Sequence, residues 1–288
     1  MDTIDEKIEI ADGFFHSGKF KKAIDYLTKI ISENNNEYKA YISRGYAYFF
    51  IADTEKAICD LTHAIELYSK ADQAYWYLAQ IYISKTDYET AKEYIIKALE
   101  IDKGNFNYIG DFALIEQNLK NYSNCIELCS KILSYYPVEI FALNTRGYCF
   151  MSLKDYKNAI IDFESALVEK PHDCFTLNNL GFALLKNGEY KKAYKYLQLA
   201  IEIEPKFAYP YDNLGFVYYL DNDFEKALKL INTSIEIDQS NSWAFKNRAL
   251  VYIATNNKEK AKLDLLHAKE LGYSEEYDNE VEELLKTI

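Results

Sequence analysis

The sequence predicts an all-α fold, an α-solenoid of eight helix-turn-helix repeats followed by a C-terminal capping helix, and three observations lead to this prediction. The first is a small residue that returns every 34 positions, alanine seven times and cysteine once, at positions 23, 57, 91, 125, 159, 193, 227 and 261. The second is that apolar residues recur at steps of three and four, which is the helical period. The third is a short polar break that divides each unit into two helices. A period of this length is typical of arrays in which each unit packs on its neighbours.

The repeat boundaries follow from counting in steps of 34 from Ile4. The eight repeats are residues 4–37, 38–71, 72–105, 106–139, 140–173, 174–207, 208–241 and 242–275, so that one elongated array is expected over residues 4–275. The breaks within the hairpins carry residues that tolerate a left-handed backbone, namely Gly18, Gly188, Asn222 and Asn256. Proline recurs at one position after the second helix, where it stops one hairpin before the next begins, at Pro137, Pro171 and Pro205.

The segment after the last repeat, residues 276–288, is predicted to form the capping helix. Its apolar residues fall on one stripe, and acidic residues lie on the opposite side. The apolar residues are Val281, Leu284, Leu285 and Ile288. Such a helix would shield the last hairpin from solvent, which the end of a repeat array requires.

Repeat six carries a set of residues at fixed places. Gly181 is its eighth residue, Tyr190 precedes the second helix, Ala193 and Ala200 lie within that helix, and Pro205 closes the repeat. A small eighth residue recurs in all eight repeats and lets two helices approach closely. In this pattern the chain resembles the tetratricopeptide repeat over residues 4–275. The resemblance implies a right-handed superhelix whose first helices line a concave groove, and a general role in binding proteins.

Repeat four departs from this pattern. Cys125 replaces the packing alanine, Glu116 replaces an aromatic residue, and Gly110 lies inside the first helix. Glycine within a helix costs about 1 kcal/mol relative to alanine. Two interpretations stay open, namely drift in a tolerant repeat and a flexible joint between repeats one to three and repeats five to eight.

Composition and charge restrict the expected partners and location. The formal net charge is −12, and the sequence has no stripe of lysine and arginine with which to neutralise phosphates. Nucleic acid and anionic membranes are therefore not expected partners. No basic and apolar leader precedes the first helix, and no apolar run approaches the roughly 18 residues of a membrane span. We therefore expect a cytoplasmic protein.

The cysteines and histidines give little support for catalysis or metal binding. Five cysteines, an odd number within helical patterns, are expected to be reduced core residues, at positions 59, 125, 129, 149 and 174. The four histidines lie in separate repeats, and no nucleophile with a matching base appears. Cys125 and Cys129 share a helix face, but no further ligand completes a metal site in that repeat. We therefore expect no enzyme activity, metal or cofactor.

The three arginines of the chain share one repeat position, the seventh. They are Arg44, Arg146 and Arg248, and each is followed sixteen residues later by an aspartate, Asp60, Asp162 or Asp264. Because most other repeats carry an apolar residue at the seventh position, an unpaired arginine there would be costly. We predict three Arg–Asp pairs within repeats, each with parallel hydrogen bonds. The alternative is that the arginines bind a carboxylate of a ligand.

The predicted groove of repeats five to eight is lined by aromatic and amide residues. The rings are Phe141, Phe175, Tyr209 and Trp243 at the second position, with Phe182 and Phe216 at the ninth. A contiguous apolar stripe on an exposed face suggests a partner site, whereas the alternative is that these rings pack between neighbouring first helices. Asn179, Asn213 and Asn247 share the sixth position. Such amides can hold the backbone of an extended peptide, although asparagine is also frequent there in ordinary tetratricopeptide repeats.

These observations favour a non-enzymatic adaptor or scaffold that binds an extended or helical segment of another protein in the groove. The main alternative, from a different functional class, is that the same rings drive self-association into a structural oligomer. A third hypothesis, an intracellular sensor of a short peptide, is less favoured.

Overall fold

The computed structural model describes residues 4–273 and 280–288, and this part of the chain folds into 17 α-helices without a β-strand. The all-α fold class is therefore confirmed. The helices are α1 (Ile4–His16), α2 (Phe20–Glu33), α3 (Tyr38–Phe50), α4 (Thr54–Leu67), α5 (Asp72–Ser84), α6 (Tyr88–Ile101), α7 (Phe106–Asn118), α8 (Tyr122–Tyr135), α9 (Ile140–Ser152), α10 (Tyr156–Glu169), α11 (Cys174–Lys186), α12 (Tyr190–Ile203), α13 (Ala208–Leu220), α14 (Phe224–Ile237), α15 (Ser242–Ala254), α16 (Lys258–Glu270) and α17 (Glu280–Thr287).

The odd-numbered helices α1 to α15 each begin at the first residue of a predicted repeat. Many of the even-numbered helices begin after a side chain that accepts a hydrogen bond from a backbone N–H of the first turn. Asp53, Asp87, Asp155, Asp223 and Asn257 act in this way. The aspartates of the turns are therefore N-caps, and each such cap stabilises its helix by roughly 1 kcal/mol.

The turn inside each hairpin passes through one left-handed residue. The predicted left-handed positions are confirmed, with φ of 67° at Gly18, 82° at Gly188, 61° at Asn222 and 59° at Asn256. The same repeat position is also left-handed where the sequence offers neither glycine nor asparagine, at Ala52, Thr86, Lys120 and Lys154. A left-handed backbone costs such residues roughly 1–2 kcal/mol, so hairpin closure outweighs local preference in these repeats.

The two helices of a hairpin approach closely at the small eighth residue. A Cβ atom added to Gly181 would lie 2.5 Å from Leu197 Cδ2, and one added to Gly45 would lie 2.8 Å from Leu61 Cγ. Leu61 and Leu197 are buried in the cores of their repeats. The small residue is therefore required by helix packing, as the sequence pattern predicted.

The helices divide into two compact units, Met1–Ile132 and Leu133–Ile288. From α1 to α7 and from α9 to α17, each helix packs on its neighbours along the chain, and the first helices of successive repeats within each unit also pack on one another. In unit 1 these are α1, α3, α5 and α7, and in unit 2 they are α9, α11, α13 and α15. Each unit thus has a layer of first helices, on which a groove of the predicted kind would lie.

The last helix, α17, packs on α16 and buries Val281. It is the described part of the predicted capping segment, whose residues 276–279 lie outside the described residues. Within the described ranges, none of the helices combines the length and the apolar character that crossing a bilayer would require.

One detail of the fold differs from the sequence prediction, and a second concerns a residue for which the sequence predicted no position. The five cysteines all lie in the described part of the chain and form no disulfide there, but Cys59 is exposed, so the expected core position is wrong for this residue and holds for the other four. Glu116, which replaces an aromatic residue in repeat four, is buried all the same, and its Oε1 atom lies 2.8 Å from Lys92 Nζ. A buried carboxylate is retained there because a cation from α6 accompanies it.

Candidate partner-binding groove

The candidate site is the surface of unit 2 formed by α9, α11, α13 and α15, which is called the inner groove below. These four helices carry the second, fifth, sixth and ninth positions of repeats five to eight. Three of the four rings at the second position are exposed: Phe141 and Tyr209 by 40% and Phe175 by 63%. Phe175 contacts Phe207, with ring centroids 4.8 Å apart, and Phe207 in turn lies 5.7 Å from Tyr209. An apolar row therefore reaches solvent at one edge of the groove.

The remaining rings, those of Phe182, Phe216 and Trp243, are half-buried. The rings of Phe182 in α11 and Trp243 in α15 meet edge to face with centroids 5.6 Å apart, although they belong to repeats separated by one. Trp243 also meets Tyr273 edge to face, at 4.8 Å. Packing between first helices, the alternative considered for this stripe, thus describes Phe182 and Trp243, whereas the rings of Phe141, Phe175 and Tyr209 remain accessible.

The asparagine column differs most from its expected role. Asn213 and Asn247 are buried, and both amide groups donate to the fifth residue of the preceding repeat. Asn213 Nδ2 donates to Asn178 Oδ1 over 2.9 Å, and Asn247 Nδ2 donates to Asp212 Oδ1 over 2.8 Å. These two side chains fasten one repeat to the next, and because both are buried, they are poorly placed to bind the backbone of a peptide. Asn179, which is half-buried, lines the groove as expected.

A pocket of about 180 Å³ opens in the inner groove. Its apolar lining consists of Tyr148, Met151, Phe182, Tyr209 and Trp243. Its polar lining consists of Asn178, Asn179, Asp212 and Asn213. All four helices of the groove contribute to it, so its shape depends on the packing of repeats five to eight.

Asp212 is the charged group of this pocket, and its side chain is only 1% exposed. Burial raises the pKa of Asp212 to about 6, although the hydrogen bond from Asn247 and the positive charge of Lys246 act in the opposite direction. The carboxylate is therefore ionised at neutral pH at an energetic cost. A buried carboxylate with a raised pKa beside a pocket is a common mark of a binding site.

Lys246 occupies the same repeat position as Asp212 and is also buried. Its ammonium group lies 3.0 Å from Glu280 Oε2 of α17 and 5.4 to 5.9 Å from the ring centroids of Phe216, Trp243 and Tyr273. These ring faces attract the cation. Lys246 therefore joins the last repeat to α17, and its direct ionic partner is Glu280 and not Asp212.

Each of the three arginines donates two parallel hydrogen bonds to the aspartate of its own repeat. In Arg44–Asp60, Arg146–Asp162 and Arg248–Asp264 the donor–acceptor distances lie between 2.7 and 2.9 Å. Two of the guanidinium groups also reach the preceding repeat, where Arg44 Nη1 donates to Thr28 and Arg248 Nη1 to Asn232. This geometry assigns the arginines a structural role, within a repeat and between repeats.

Three residues of the site were not predicted from the sequence, namely Asn178, Asp212 and Lys246. The signal was present, since these residues share the fifth position in three successive repeats, directly before the asparagine column. The fifth and sixth positions of a first helix point in different directions, so polar residues at both cannot all face solvent. Polar residues at both positions therefore indicate hydrogen bonds between neighbouring repeats. Within residues 4–273 and 280–288, no group of three or more His, Cys, Asp or Glu side chains is arranged to hold a metal ion.

Comparisons with known proteins agree with this architecture. Two family models, both described as tetratricopeptide repeat, match residues 38–70, 72–105 and 142–172 in one case and 175–207 in the other. These ranges fall within predicted repeats two, three, five and six. The BBSome complex member BBS4 of Bos taurus is 26% identical over 139 residues, which are 48% of this chain and 27% of that protein. The chain thus spans about a quarter of the length of this relative.

Solved structures share the fold at low sequence identity. A tetratricopeptide repeat protein from Parabacteroides merdae superposes with a TM-score of 0.72 at 20% identity, covering 86% of this chain and 97% of the other. The Cut9–Hcn1 hetero-tetramer of the APC/C gives a TM-score of 0.66 at 16% identity, covering 98% and 55%. Yeast Tom70 gives 0.53 at 20% identity, covering 94% and 58%.

Proposed function

Because this chain is a tetratricopeptide-repeat protein, we propose that it is a non-enzymatic scaffold that binds an extended segment of another protein in the inner groove of unit 2. The observation that supports this function best is the exposed row of rings at Phe141, Phe175 and Tyr209 beside a pocket that Tyr209 also lines. Exposed aromatic residues next to a concave, partly polar pocket are typical of peptide-binding surfaces, where large apolar anchors supply most of the affinity.

The amide contacts with the peptide backbone, expected of three asparagines, are assigned in this proposal to Asn179 alone. Asn213 and Asn247 keep the groove in shape, because their amides already bind the preceding repeats. The rings at the groove edge bind apolar side chains of the segment, and the pocket binds one further side chain.

The test is a comparison of two triple variants in a pull-down from a lysate of the source cells. The groove variant carries Phe141→Ala, Phe175→Ala and Tyr209→Ala. The control variant carries Ile161→Ala, Val168→Ala and Leu263→Ala, which remove exposed apolar side chains from the second helices of the same unit. Circular dichroism and thermal unfolding establish that both variants are folded.

A partner that wild type and the control retain and the groove variant loses supports the proposal, provided that the purified partner reproduces this loss in direct binding. Equal retention by all three proteins would contradict a site in the inner groove. If wild type retains no specific partner and its sedimentation coefficient rises with concentration, the self-associating oligomer becomes the better explanation.

A further inference from the structure

We propose that the pocket at Asp212 receives a basic side chain, lysine or arginine, of the segment bound in the inner groove. This inference rests on the function proposed above and adds the chemistry of one anchor residue. The pocket volume of about 180 Å³ lies below the roughly 300–1,000 Å³ of sites for whole small molecules. The space therefore suits a single side chain better than a cofactor or metabolite.

The charges around the pocket favour a cation. Among the described residues, the hydrogen-bond donor to Asp212 is the neutral amide of Asn247, while the nearby Lys246 forms its direct ion pair with Glu280. Asp212, Lys246 and Glu280 together contain one more carboxylate than ammonium group. A second cation would balance Asp212, whereas an acidic side chain would be repelled.

The rings of the pocket favour the same class of side chain. Tyr148, Phe182, Tyr209 and Trp243 line it, and the faces of such rings attract an ammonium or guanidinium group. The stem of a lysine or arginine side chain is apolar and can pack along these rings while its charged end reaches the carboxylate. A purely apolar side chain would cover the rings but would leave the carboxylate desolvated and without a direct ionic partner. The combination of rings and a buried carboxylate therefore selects a side chain that is apolar along its length and positive at its end.

The probe for this proposal is a phage-displayed library of random short peptides, selected on the full-length chain. Three proteins are used: wild type, Asp212→Asn, and Asp221→Asn as the matched control. Asp221 is exposed at the end of the same helix, so the control makes the same chemical change away from the pocket. We expect peptides selected on wild type and on Asp221→Asn to share a lysine or arginine at one position, and this preference to disappear on Asp212→Asn.

A double-mutant cycle then measures the coupling energy between Asp212 and the basic residue of the peptide. The best peptide and its neutral analogue, with citrulline for arginine or norleucine for lysine, are titrated against wild type and Asp212→Asn. Loss of one charged partner is expected to weaken binding roughly 10- to 100-fold, and loss of the second to add little. Thermal unfolding of each protein without peptide separates this effect from a structural one. If Asp212 had only a structural role, Asp212→Asn would lower the stability of the protein without changing its preference for a basic residue.

Each outcome decides between the two proposals. Peptides that bind without a preferred basic residue, or that bind Asp212→Asn as tightly as wild type, would overturn the basic anchor and leave the peptide groove intact. If wild type selects no peptides, the groove function itself is contradicted, and the basic anchor with it.

Discussion

Asn247 donates a hydrogen bond of 2.8 Å to Asp212 from the next repeat, and both side chains are buried. The two residues are 35 positions apart, and Asn213 and Asn178 repeat the arrangement one unit earlier. The sixth residue of one first helix thus holds the fifth residue of the preceding one. In the contact with Asn247 the acceptor is the carboxylate of Asp212, which places a charge beside the pocket. An amide, as in Asn178, would cost less free energy to bury.

Neutralising Asp212 should stabilise the unbound protein. A carboxyl group whose pKa is raised on folding, here from 3.8 to about 6, costs stability when it is ionised, and the cost disappears as pH falls through 6 toward 3.8. Asp212→Asn is therefore expected to raise the free energy of unfolding at pH 7.5 by up to about 3 kcal/mol. Urea unfolding of wild type and variant at pH 7.5 and pH 4.5 measures this difference, which should shrink at the lower pH.

The comparison isolates Asp212 because the other groups around it are common to both proteins. The elements packed around the carboxylate present Tyr148 from α9, Tyr209 from α13 and Lys246 from α15, together with the amides of α11. Burial raises the pKa of Tyr209 from its ordinary value of 10.0, so this phenol stays neutral over the tested range. A stability difference that is negative at pH 7.5, or that stays constant with pH, would contradict the unfavourable burial of this charge.

Removing one partner of an Arg–Asp pair should destabilise unit 2, and removing both should not. Arg248→Leu leaves the largely buried Asp264 without its two donors, which is expected to cost about 3 kcal/mol. The double variant Arg248→Leu with Asp264→Leu reproduces the residues that repeat seven carries at these positions, Leu214 and Leu230. Urea unfolding should return the double variant to within about 1 kcal/mol of wild type, because apolar residues pack at these positions elsewhere in the chain. A double variant as unstable as the single one would show that the ion pair has a role that packing cannot replace.

Alanine at two glycines should have opposite effects on stability. Gly181→Ala places a methyl group 2.5 Å from the buried Leu197, so it is expected to lower stability by about 1–2 kcal/mol despite the better helix propensity of alanine. Gly13→Ala meets no atom within 4 Å in the exposed part of α1 and should raise stability by about 0.5–1 kcal/mol. Thermal unfolding of both variants gives the sign. If Gly181→Ala stabilised the protein, the two helices of repeat six could move apart to accommodate the methyl group without a loss of stability.

Lys246 should hold α17 on the last repeat. Lys246→Met keeps an apolar stem among Phe216, Trp243 and Tyr273 but removes the ion pair with Glu280. We expect faster amide hydrogen exchange in α17, by roughly 10-fold or more, because a hydrogen-bonded pair with a buried charge is worth about 1.5–3 kcal/mol. Lys269→Met removes the exposed pair with Glu282 and is the control, with little change expected. Equal effects of the two variants would show that burial of Lys246 gives its ion pair no special weight.

Much of the fold could be predicted because the residues that define the repeat act over short distances along the chain. The small residue of each second helix, the small eighth residue and the turn residues act within a single hairpin, so their spacing alone placed the starts of the helices. The partners of Arg44, Arg146 and Arg248 could be named for the same reason, since seventh and twenty-third residues face each other inside one repeat. The left-handed backbone at Ala52, Thr86, Lys120 and Lys154 was not apparent, because nothing in these residue types favours it.

The sequence by itself determined the all-α class, the 34-residue period and the pairing of groups inside each hairpin. Only the tertiary structure decided which residues of the inner groove are accessible: it buried Asn213 and Asn247, joined Phe182 to Trp243 across a repeat, and set Asp212 beside the pocket. The physical reason is that contacts inside a hairpin depend on residue spacing along two adjacent helices. Contacts between repeats depend on the distance and angle at which successive first helices pack, and these are set by the combined volumes of side chains from several repeats.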